Sequence, residues 1–399
     1  MANRPDLKTL SVHAGEELDE EFGAIAPPLI LASSFAVHPD AVGFSAYDYE
    51  DQAPYFYSRW SNPTVRRLER KLAALEGAGD GVCFASGMAA ISGLLLHKLS
   101  AGDHLVLSNA CYAAVAELAH DTLPRMGIEA SAVDTSDLAA VEAALRPTTK
   151  LIYIETPCNP ILRLADVQAI AALAKARGAE LAVDSTIATP LGLQPIALGA
   201  DYVVHSLTKY LCGHGDALGG VVLGAADKID GLRKESLVHL GGLLGAFDAW
   251  LILRSLHSLP ARMAAHQAGA AEVAAYLEAH PRIERVLYPG LASHPQHTLA
   301  KSQMSNASGL LAFTARDGAA LARRLAERLE VFTYAVSLGK SKSLIFYIPT
   351  DDIQRTSFRL SEADLAAYRA WAGEGVFRVS VGLERAEDLI ADLEKALAD

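Results

Sequence analysis

The stretch LAVDSTIATPLGLQPIALGADYVVHSLTKY, residues 181–210, contains two short apolar runs that each end in a polar residue. Leu181–Asp184 and Tyr202–His205 are apolar up to that last position, which is typical of strands buried on both faces of a parallel sheet. The turn after the second run, Ser206-Leu207-Thr208-Lys209, carries two hydroxyl groups and a lysine. The stretch therefore predicts an α/β fold with polar groups at the carboxyl edge of its sheet.

The same alternation of short apolar runs and helical segments extends from about residue 80 to about residue 225. Helical segments such as Val167–Arg177 separate the runs, so we predict a mainly parallel sheet. Further strands are predicted at Val82–Ala85, Leu105–Ser108, Ala130–Asp134, Leu151–Glu155 and Gly220–Leu223.

Two sequence changes suggest boundaries on either side of this sheet. Asn62 as N-cap and Pro63 at the first helical position predict a helix that ends near Gly77. After about residue 256, an Ala-rich helix (about Ala261–His280) leads to strands near Gly309–Thr314 and Val376–Val381. We therefore expect a large α/β domain over residues 62–256 and a small α+β domain over residues 257–399.

Residues 1–61 lack sustained periodicity and are rich in Pro, Asp, Glu and aromatic residues. A cluster of aromatic residues in this segment favours an extended arm that packs on another surface. These aromatic residues are Tyr47, Tyr49, Tyr55, Phe56, Tyr57 and Trp60.

The composition excludes several classes of protein. The 399 residues carry a formal net charge of −12 and no basic domain, which disfavours nucleic acid or an anionic membrane as a partner. No apolar run reaches the ~18 residues of a membrane span. The first ten residues, MANRPDLKTL, lack the apolar core of a secretory signal. The four cysteines form no C-x-x-C motif, so we expect no metal site or disulfide framework and a reducing, cytoplasmic location.

Polar residues collect at the predicted carboxyl edge of the sheet, where open parallel sheets bind ligands. Ser86-Gly87-Met88 opens a helix after a strand, which makes an anion cradle because free N–H groups point at the ligand. This set favours pyridoxal phosphate as cofactor: Lys209 would attach it, Asp184 would keep its pyridine nitrogen protonated, and Gly87, Met88, Ser206 and Thr208 would hold its phosphate. Each residue alone is more often a turn, cap or surface residue; only the joint arrangement favours the cofactor.

Three other patterns in the sequence compete with this prediction. Ser206-x-x-Lys209 matches the S-x-x-K of serine acyl enzymes, but no K-T-G or K-S-G occurs in the chain. Gly213-x-Gly215-x-x-x-Gly219 misses the dinucleotide fingerprint by one residue and precedes a strand. His205 and His214 are nine positions apart, where ordinary packing is a better explanation than a metal pair.

Beyond these residues, the chain resembles the Cys/Met-metabolism family of pyridoxal-phosphate enzymes, which includes cystathionine lyases and synthases and methionine γ-lyase. The resemblance covers almost the whole chain and rests on several segments. They are IAPPLILASSF (25–35), YFYSRWSNPT (55–64), ASGMAA (85–90), ETPCNP (155–160), VDSTIATP (183–190), HSLTKYLCGHGDALGG (205–220) and FRVSVGLE (377–384).

The resemblance implies the fold type I, aspartate-aminotransferase-like architecture and a role for each matching residue. Lys209 is the Schiff-base lysine and proton shuttle, Asp184 the pyridine partner, and Tyr112 the stacking and acid–base tyrosine. Asn159 lies near the phenolic oxygen, and Ser337 and Arg378 bind the substrate carboxylate. Tyr57 and Arg59 reach the phosphate of the neighbouring subunit, which implies a homodimer with shared active sites, usually within a tetramer.

The sequence departs from the family pattern where the substrate is chosen. Val336 stands where cystathionine-specific γ-enzymes tend to carry Glu, and Ala114 where methionine γ-lyases carry Cys. A downstream P-x-x-x-T-H segment is replaced by YIPTDDIQRTSF, as in cystathionine β-lyases. SLGKSKSL (337–344) brings in Lys340 and Lys342, which would favour an anionic distal group if they faced the substrate and are otherwise a solvated loop.

We therefore expect a lyase that eliminates a β or γ substituent, a thiol, from an amino acid such as cystathionine. The alternatives are a γ-replacing synthase or O-acylhomoserine sulfhydrylase, and a γ-lyase for methionine or another γ-substituted amino acid. A scaffold with the same fold but no activity would lack a reason to keep Lys209, Asp184 and Arg378 together.

Overall fold

A seven-stranded sheet forms the centre of the larger part of the chain. The structure is a computed structural model that describes residues 4–18, 23–38, 45 and 55–398. The strands of the large sheet are β1 (Asp80–Phe84), β2 (His104–Ser108), β3 (Glu129–Val133), β4 (Thr149–Glu155), β5 (Glu180–Asp184), β6 (Tyr202–Ser206) and β7 (Gly220–Gly224).

These strands lie in the spatial order β1-β7-β6-β5-β4-β2-β3. All neighbours are parallel except β7, which runs antiparallel to β1 and to β6. The prediction of a mainly parallel sheet is confirmed, and each predicted strand is present with its ends displaced by at most two residues.

Helices cover both faces of the large sheet, as the near-continuous apolar strands require. In β4, Leu151 and Tyr153 point into one core, while Ile152 and Ile154 point into the core on the opposite face. The helices of this part are α2 (Pro63–Glu76), α3 (Gly87–Lys98), α4 (Ala113–Glu117), α5 (Leu138–Ala144), α6 (Val167–Arg177), α7 (Thr189–Gly192), α8 (Ala226–Leu232) and α9 (Ala246–Leu256).

Helix α2 begins and ends where its sequence predicts. The Asn62 side chain accepts hydrogen bonds from the N–H groups of Thr64 and Val65, and Pro63 occupies the first turn. Gly77 ends the helix at φ 76°, a left-handed conformation that glycine adopts without strain.

A second sheet of five strands lies in the C-terminal part, in the order β10-β11-β12-β9-β8. Its strands are β8 (Ile283–Leu287), β9 (Leu310–Ala315), β10 (Thr333–Tyr334), β11 (Leu344–Pro349) and β12 (Gly375–Ser380). The accompanying helices are α10 (Leu259–Ala279), α11 (His297–Gln303), α12 (Gly318–Arg328), α13 (Thr350–Ile353), α14 (Glu362–Ala372) and α15 (Ala386–Leu397). The predicted α+β character and the long Ala-rich helix are confirmed.

The boundary predicted near residue 256 falls between α9 and α10. The hydrophobic core does not divide at that point, because Leu310, Phe358 and Tyr368 join the core of the large sheet. The division into 1–61, 62–256 and 257–399 therefore stays a prediction.

The N-terminal segment contains a helix that the sequence pattern did not predict, α1 (Leu7–His13). Seven residues are too few for a convincing helical period, and this helix depends on long-range contacts. The buried ammonium of Lys71 donates to the backbone carbonyls of Ser11 and Val12 and to the carboxylate of Glu16. Of the aromatic residues in the predicted arm, Tyr47 and Tyr49 lie outside the described residues.

Candidate active site

A cavity of about 220 Å³ lies at the carboxyl ends of β4, β5 and β6. It brings together all the residues of the large sheet and its loops that were predicted to hold the cofactor. The lining residues are Ser86, Gly87, Met88, Ile91, Tyr112, Glu155, Asn159, Asp184, Thr186, Ile187, Ser206, Thr208, Lys209, Leu218 and Leu338.

The N-terminus of α3 forms one wall of this cavity. Ser86 caps the helix by accepting from the N–H of Ala89 at 3.1 Å. A Cβ added at Gly87 would come within 3.0 Å of the Cβ of Ser206, and one at Gly220 would come within 2.2 Å of the carbonyl oxygen of Ser86. The glycines therefore allow β6, β7 and the helix terminus to meet, and free N–H groups there suit an anion.

Asp184, the last residue of β5, is held in a fixed orientation. Its Oδ2 accepts from the hydroxyl of Tyr153 at 3.0 Å, and its Oδ1 accepts from the N–H of Thr186 at 3.0 Å. Burial and the nearby Asp184 carboxylate raise the pKa of Tyr153, so this phenol stays protonated as a donor. Sequence analysis missed Tyr153, because within an apolar strand an inward-facing tyrosine is indistinguishable from a core residue.

Lys209 lies in the turn after β6, and its Nζ donates to the hydroxyl of Ser337 at 3.3 Å. Burial, the guanidinium of Arg378 and the ammonium of Lys340 together lower the pKa of Lys209 to about 8. A lysine in this environment exists in part as the neutral amine near neutral pH, which is the form that attacks a carbonyl and accepts a proton.

Arg378 on β12 reaches across from the C-terminal sheet. Its Nη1 donates to Oδ1 of Asn159 at 2.9 Å, and its Nη2 donates to the carbonyl oxygen of Ser337 at 3.0 Å. Ser337 has φ 85°, a backbone conformation that non-glycine residues rarely adopt and that is frequent at functional sites. Three residues predicted from separate segments are therefore joined beside Lys209.

Five of the predicted site residues are not among those that line this cavity, namely Tyr57, Arg59, Val336, Ser337 and Arg378. Ser337 and Arg378 contact lining residues, as described above, whereas the other three show no such contacts among the described residues. Arg59 donates to the carbonyl oxygen of Val238 at 2.6 Å, and its guanidinium lies 5.3 Å from the ring of Tyr57. Tyr57 is 42% exposed and Val336 is 64% exposed. Tyr57 and Arg59 were expected to serve the site of a neighbouring subunit, so their distance from this cavity leaves that expectation open.

The two lysines of SLGKSKSL also lie outside the cavity lining. Lys342 is exposed. Lys340 is half-buried and packs on Gly215, where an added Cβ would lie 2.9 Å from its side-chain carbons. This geometry favours the solvated-loop explanation for Lys342 and an electrostatic influence on Lys209 for Lys340.

His205 and His214, the possible metal pair, each contact a different hydrogen-bond partner. His205 is buried on β6 with its Nε2 3.0 Å from the carboxylate of Glu76. His214 lies 2.7 Å through its Nδ1 from the carbonyl oxygen of Cys212.

A buried carboxylate in the cavity wall, Glu155, was not singled out from the sequence. It ends β4 directly beside Asp184 on β5 and is 6% exposed. Burial and the Asp184 carboxylate raise its pKa. The sequence indicated a role for Glu155 only through its position at the end of a strand, and a glutamate at a strand end is usually exposed to solvent.

The chain matches a known protein family over nearly its whole length. The family model for Cys/Met metabolism PLP-dependent enzymes matches residues 8–398. Because this match spans nearly the whole chain, the protein belongs to that family. It is thus a pyridoxal-phosphate-dependent enzyme that acts on a small amino acid.

Individual relatives and solved structures agree with this assignment. The chain is 40% identical to L-methionine gamma-lyase of Pseudomonas putida, over 98% of this chain and 97% of that protein. It is 41% identical to O-succinylhomoserine sulfhydrylase of Pseudomonas aeruginosa, over 98% of this chain and 94% of that protein. The structure of cystathionine gamma-lyase from Lactobacillus plantarum complexed with L-serine matches with a TM-score of 0.87 and 35% identity, over 98% of each chain. The predicted fold type I architecture is confirmed.

The residues in the cavity fit the cofactor of this family. The glycine-lined helix terminus beside Ser206 suits its phosphate, and the oriented carboxylate of Asp184 suits a protonated pyridine nitrogen. Lys209, with its lowered pKa, would supply the amine. Among the described residues, no helix has both the length and the apolar character needed to cross a membrane.

Proposed function

We propose that the protein is a lyase that eliminates a thiol from the β or γ carbon of a sulfur-containing amino acid such as cystathionine. The observation that carries this proposal is the convergence of Lys209, Asp184, Tyr112 and Arg378 around one cavity. Bound pyridoxal phosphate would supply an electron sink for the carbanion that forms at the substrate α carbon.

The substrate carboxylate is bound by Arg378 in this proposal. The guanidinium donates one hydrogen bond from each terminal nitrogen to the protein, to Asn159 and to Ser337. Each terminal nitrogen retains a second N–H, and a planar fork of donors suits a carboxylate. The same contacts fix the plane of the guanidinium before substrate arrives, which reduces the entropy lost on binding.

Lys209 moves the protons. Its Nζ lies at the cavity beside the Ser337 hydroxyl, and its pKa near 8 allows it to accept a proton and to return it at neutral pH. Tyr112 is 47% exposed at the cavity rim, where it would lie against the cofactor ring and could donate a proton to the leaving group. Gly87, Met88, Ser206 and Thr208, which line the same cavity, would hold the phosphate.

The assembly we propose is a homodimer with shared sites, within a tetramer, in which Tyr57 and Arg59 of the arm serve the neighbouring subunit. Exposed apolar side chains in the arm and near the cavity support such an interface. They include Ile25, Leu31, Leu218 and Leu240. Four buried free cysteines fit the reducing environment of the cytoplasm.

A substrate panel tests the elimination. Cystathionine, methionine and O-succinylhomoserine are incubated with the loaded enzyme, with and without an added thiol, and keto acid, ammonia and free thiol are measured. We expect equal amounts of the three products from cystathionine without added thiol. Pyruvate would indicate β elimination, and 2-oxobutyrate would indicate γ elimination.

The second candidate is γ replacement, which the similarity to a sulfhydrylase favours. It predicts a thioether product from O-succinylhomoserine only when thiol is present, with no keto acid from cystathionine. That outcome would replace elimination as the proposed function. Absence of product from every substrate in the panel would contradict both.

A further inference from the structure

We propose that Glu155 is a positioning residue for the reaction: its carboxylate holds the backbone of Tyr112 and of Asn159 against the cavity and, through Asn159, orients Arg378. This inference rests on the proposed function for the role of those three groups. It goes beyond that function by assigning a task to a cavity residue outside the predicted set.

The two oxygens of Glu155 are each committed to a different segment. Its Oε2 accepts from the N–H of Tyr112 at 2.7 Å, and its Oε1 accepts from the N–H of Asn159 at 2.7 Å. Each N–H group has its own oxygen of the same side chain as acceptor, so the position of one carboxyl group fixes the geometry of both donors. One side chain thus links the start of α4 to the loop that follows β4.

Tyr112 depends on this link because its own helix end offers no other cap. It is the N-cap residue of α4 and makes no side-chain capping bond. Glu155 satisfies the N–H of the N-cap residue, the task that a glutamate inside the helix performs in a capping box. Since the phenol ring projects from this backbone into the cavity rim, the bond determines where the ring lies.

Asn159 connects Glu155 to Arg378, the arginine proposed to bind the substrate. Its backbone N–H is held by Glu155, and its side-chain Oδ1 accepts from Arg378. A displacement of the Asn159 backbone would therefore withdraw one of the two protein acceptors that fix the guanidinium.

The carboxylate itself is firmly placed and closely surrounded. Glu155 is the last residue of β4, and its own N–H donates to the hydroxyl of Ser108 at 3.2 Å. The titratable and charged groups that interact with it from neighbouring elements are Asp184, Arg378, Tyr153, Cys111 and Cys158. None of these residues replaces Glu155 as acceptor for the two N–H groups.

The test compares Glu155→Gln with a matched control, Asp392→Asn. The amide of Gln has the same shape but one acceptor oxygen, so it can satisfy only one of the two N–H groups. Asp392 is also 6% exposed and accepts from the N–H groups of Glu330, Val331 and Phe332, far from the cavity lining. Both variants lose a side-chain oxygen that accepts from backbone N–H groups, but only Glu155→Gln changes a residue of the cavity.

Glu155→Gln should lower kcat/KM on the order of 10- to 100-fold, through both a lower kcat and a higher KM. In the cofactor-free protein, hydrogen–deuterium exchange should accelerate in the peptides that contain Tyr112 and Asn159. Asp392→Asn should leave kcat and KM per folded site unchanged. Combining Glu155→Gln with Arg378→Lys should raise KM by less than the product of the single effects, because both act on the same guanidinium.

Wild-type kcat and KM in Glu155→Gln, or equal losses in Glu155→Gln and Asp392→Asn, would overturn the proposal. If Glu155→Gln does not fold, Glu155→Asp decides the question, since a shorter charged side chain cannot reach both N–H groups; wild-type kinetics there would also overturn it. Failure of the proposed function is distinguishable, because it would remove turnover from the wild type while leaving the exchange measurement intact.

Discussion

At the scale of single residues, the proposed chemistry depends on Lys209, a lysine whose surroundings disfavour its positive charge. Lys209 is largely buried and lies near two cations, Arg378 and Lys340. Burial and the two positive charges lower the pKa of Lys209 to about 8. The neutral amine therefore predominates above pH 8 and the ammonium below it. Attachment of the cofactor, which needs the neutral amine, should accelerate as the pH rises through this value.

The contribution of Lys340 to this shift can be measured. Lys340→Ala removes a positive charge near Lys209, so the pH midpoint for cofactor attachment should rise, by less than about one pH unit because the charge is partly exposed. The rate of appearance of the visible absorption band against pH gives the midpoint. Lys342→Ala is the control, since Lys342 is exposed and is not among the charges that lower the pKa of Lys209. A midpoint that falls in Lys340→Ala, or shifts equally in both variants, would refute this electrostatic account.

Residue roles also show the limit of sequence analysis. The positions of Lys209 and Asp184 at the cavity could be predicted, because Asp184 ends a strand and Lys209 follows one at the edge where open parallel sheets bind ligands. Glu155 and Tyr153 could not, because their importance comes from contacts with residues distant in the sequence. Spacing along a strand indicates which residues lie at the edge of the sheet. It does not indicate which backbone N–H groups from other segments need a hydrogen-bond acceptor there.

At the scale of elements, strands and capped helices follow local rules, and their predictions are confirmed. The buried runs of β4 and β5 and the Asn62–Pro63 start of α2 needed only periodicity and capping chemistry. Helix α1 was missed because its seven residues give only a short helical pattern and because part of its stabilisation comes from a distant residue, Lys71.

Asn62 connects helix α2 to the N-terminal arm through two different hydrogen bonds. Its Oδ1 caps α2, while its Nδ2 donates to the carbonyl oxygen of Ile30 at 3.1 Å. Asn62→Ala should reduce stability by about 1 kcal/mol through the lost cap and should also release the arm near residue 30. Thermal unfolding measures the first effect, and hydrogen–deuterium exchange of the peptide around Ile30 measures the second.

Asp137→Ala is the matched control for this prediction. Asp137 caps α5 through the N–H groups of Ala139 and Ala140, within its own helix. It should lower the melting temperature to a similar extent and leave exchange in the arm unchanged. Equal rates of hydrogen–deuterium exchange around Ile30 in the two variants would show that Asn62 only caps helix α2 and does not hold the arm.

At the scale of the whole molecule, the two sheets meet at the substrate end of the cavity. Arg378 comes from β12 of the small sheet, while Asn159 and Lys209 come from loops of the large one. This meeting could not be predicted from periodicity, because no local pattern relates Arg378 to Asn159, 219 positions away. The resemblance to a known family supplied it instead.

The proposed sharing of sites between subunits predicts complementation. Arg59→Ala and Lys209→Ala should each be inactive alone. A mixed dimer has one site with both groups intact, so mixing the two chains should restore up to about a quarter of the wild-type activity. Activity of the mixture is measured after mass analysis has verified mixed dimers. No restoration in verified mixed dimers would mean that each chain builds its site without the partner's arm.

The central claim is that Lys209 holds the cofactor and carries out the proton transfers, and one labelling experiment tests it most directly. The loaded protein is treated with borohydride, digested, and mapped by mass, and the Lys209→Ala variant is assayed in parallel. We predict that reduction abolishes the visible absorption band, that the reduced cofactor is found on the peptide containing Lys209, and that Lys209→Ala loses nearly all turnover. Cofactor on a different lysine, or substantial turnover by Lys209→Ala, would contradict the account.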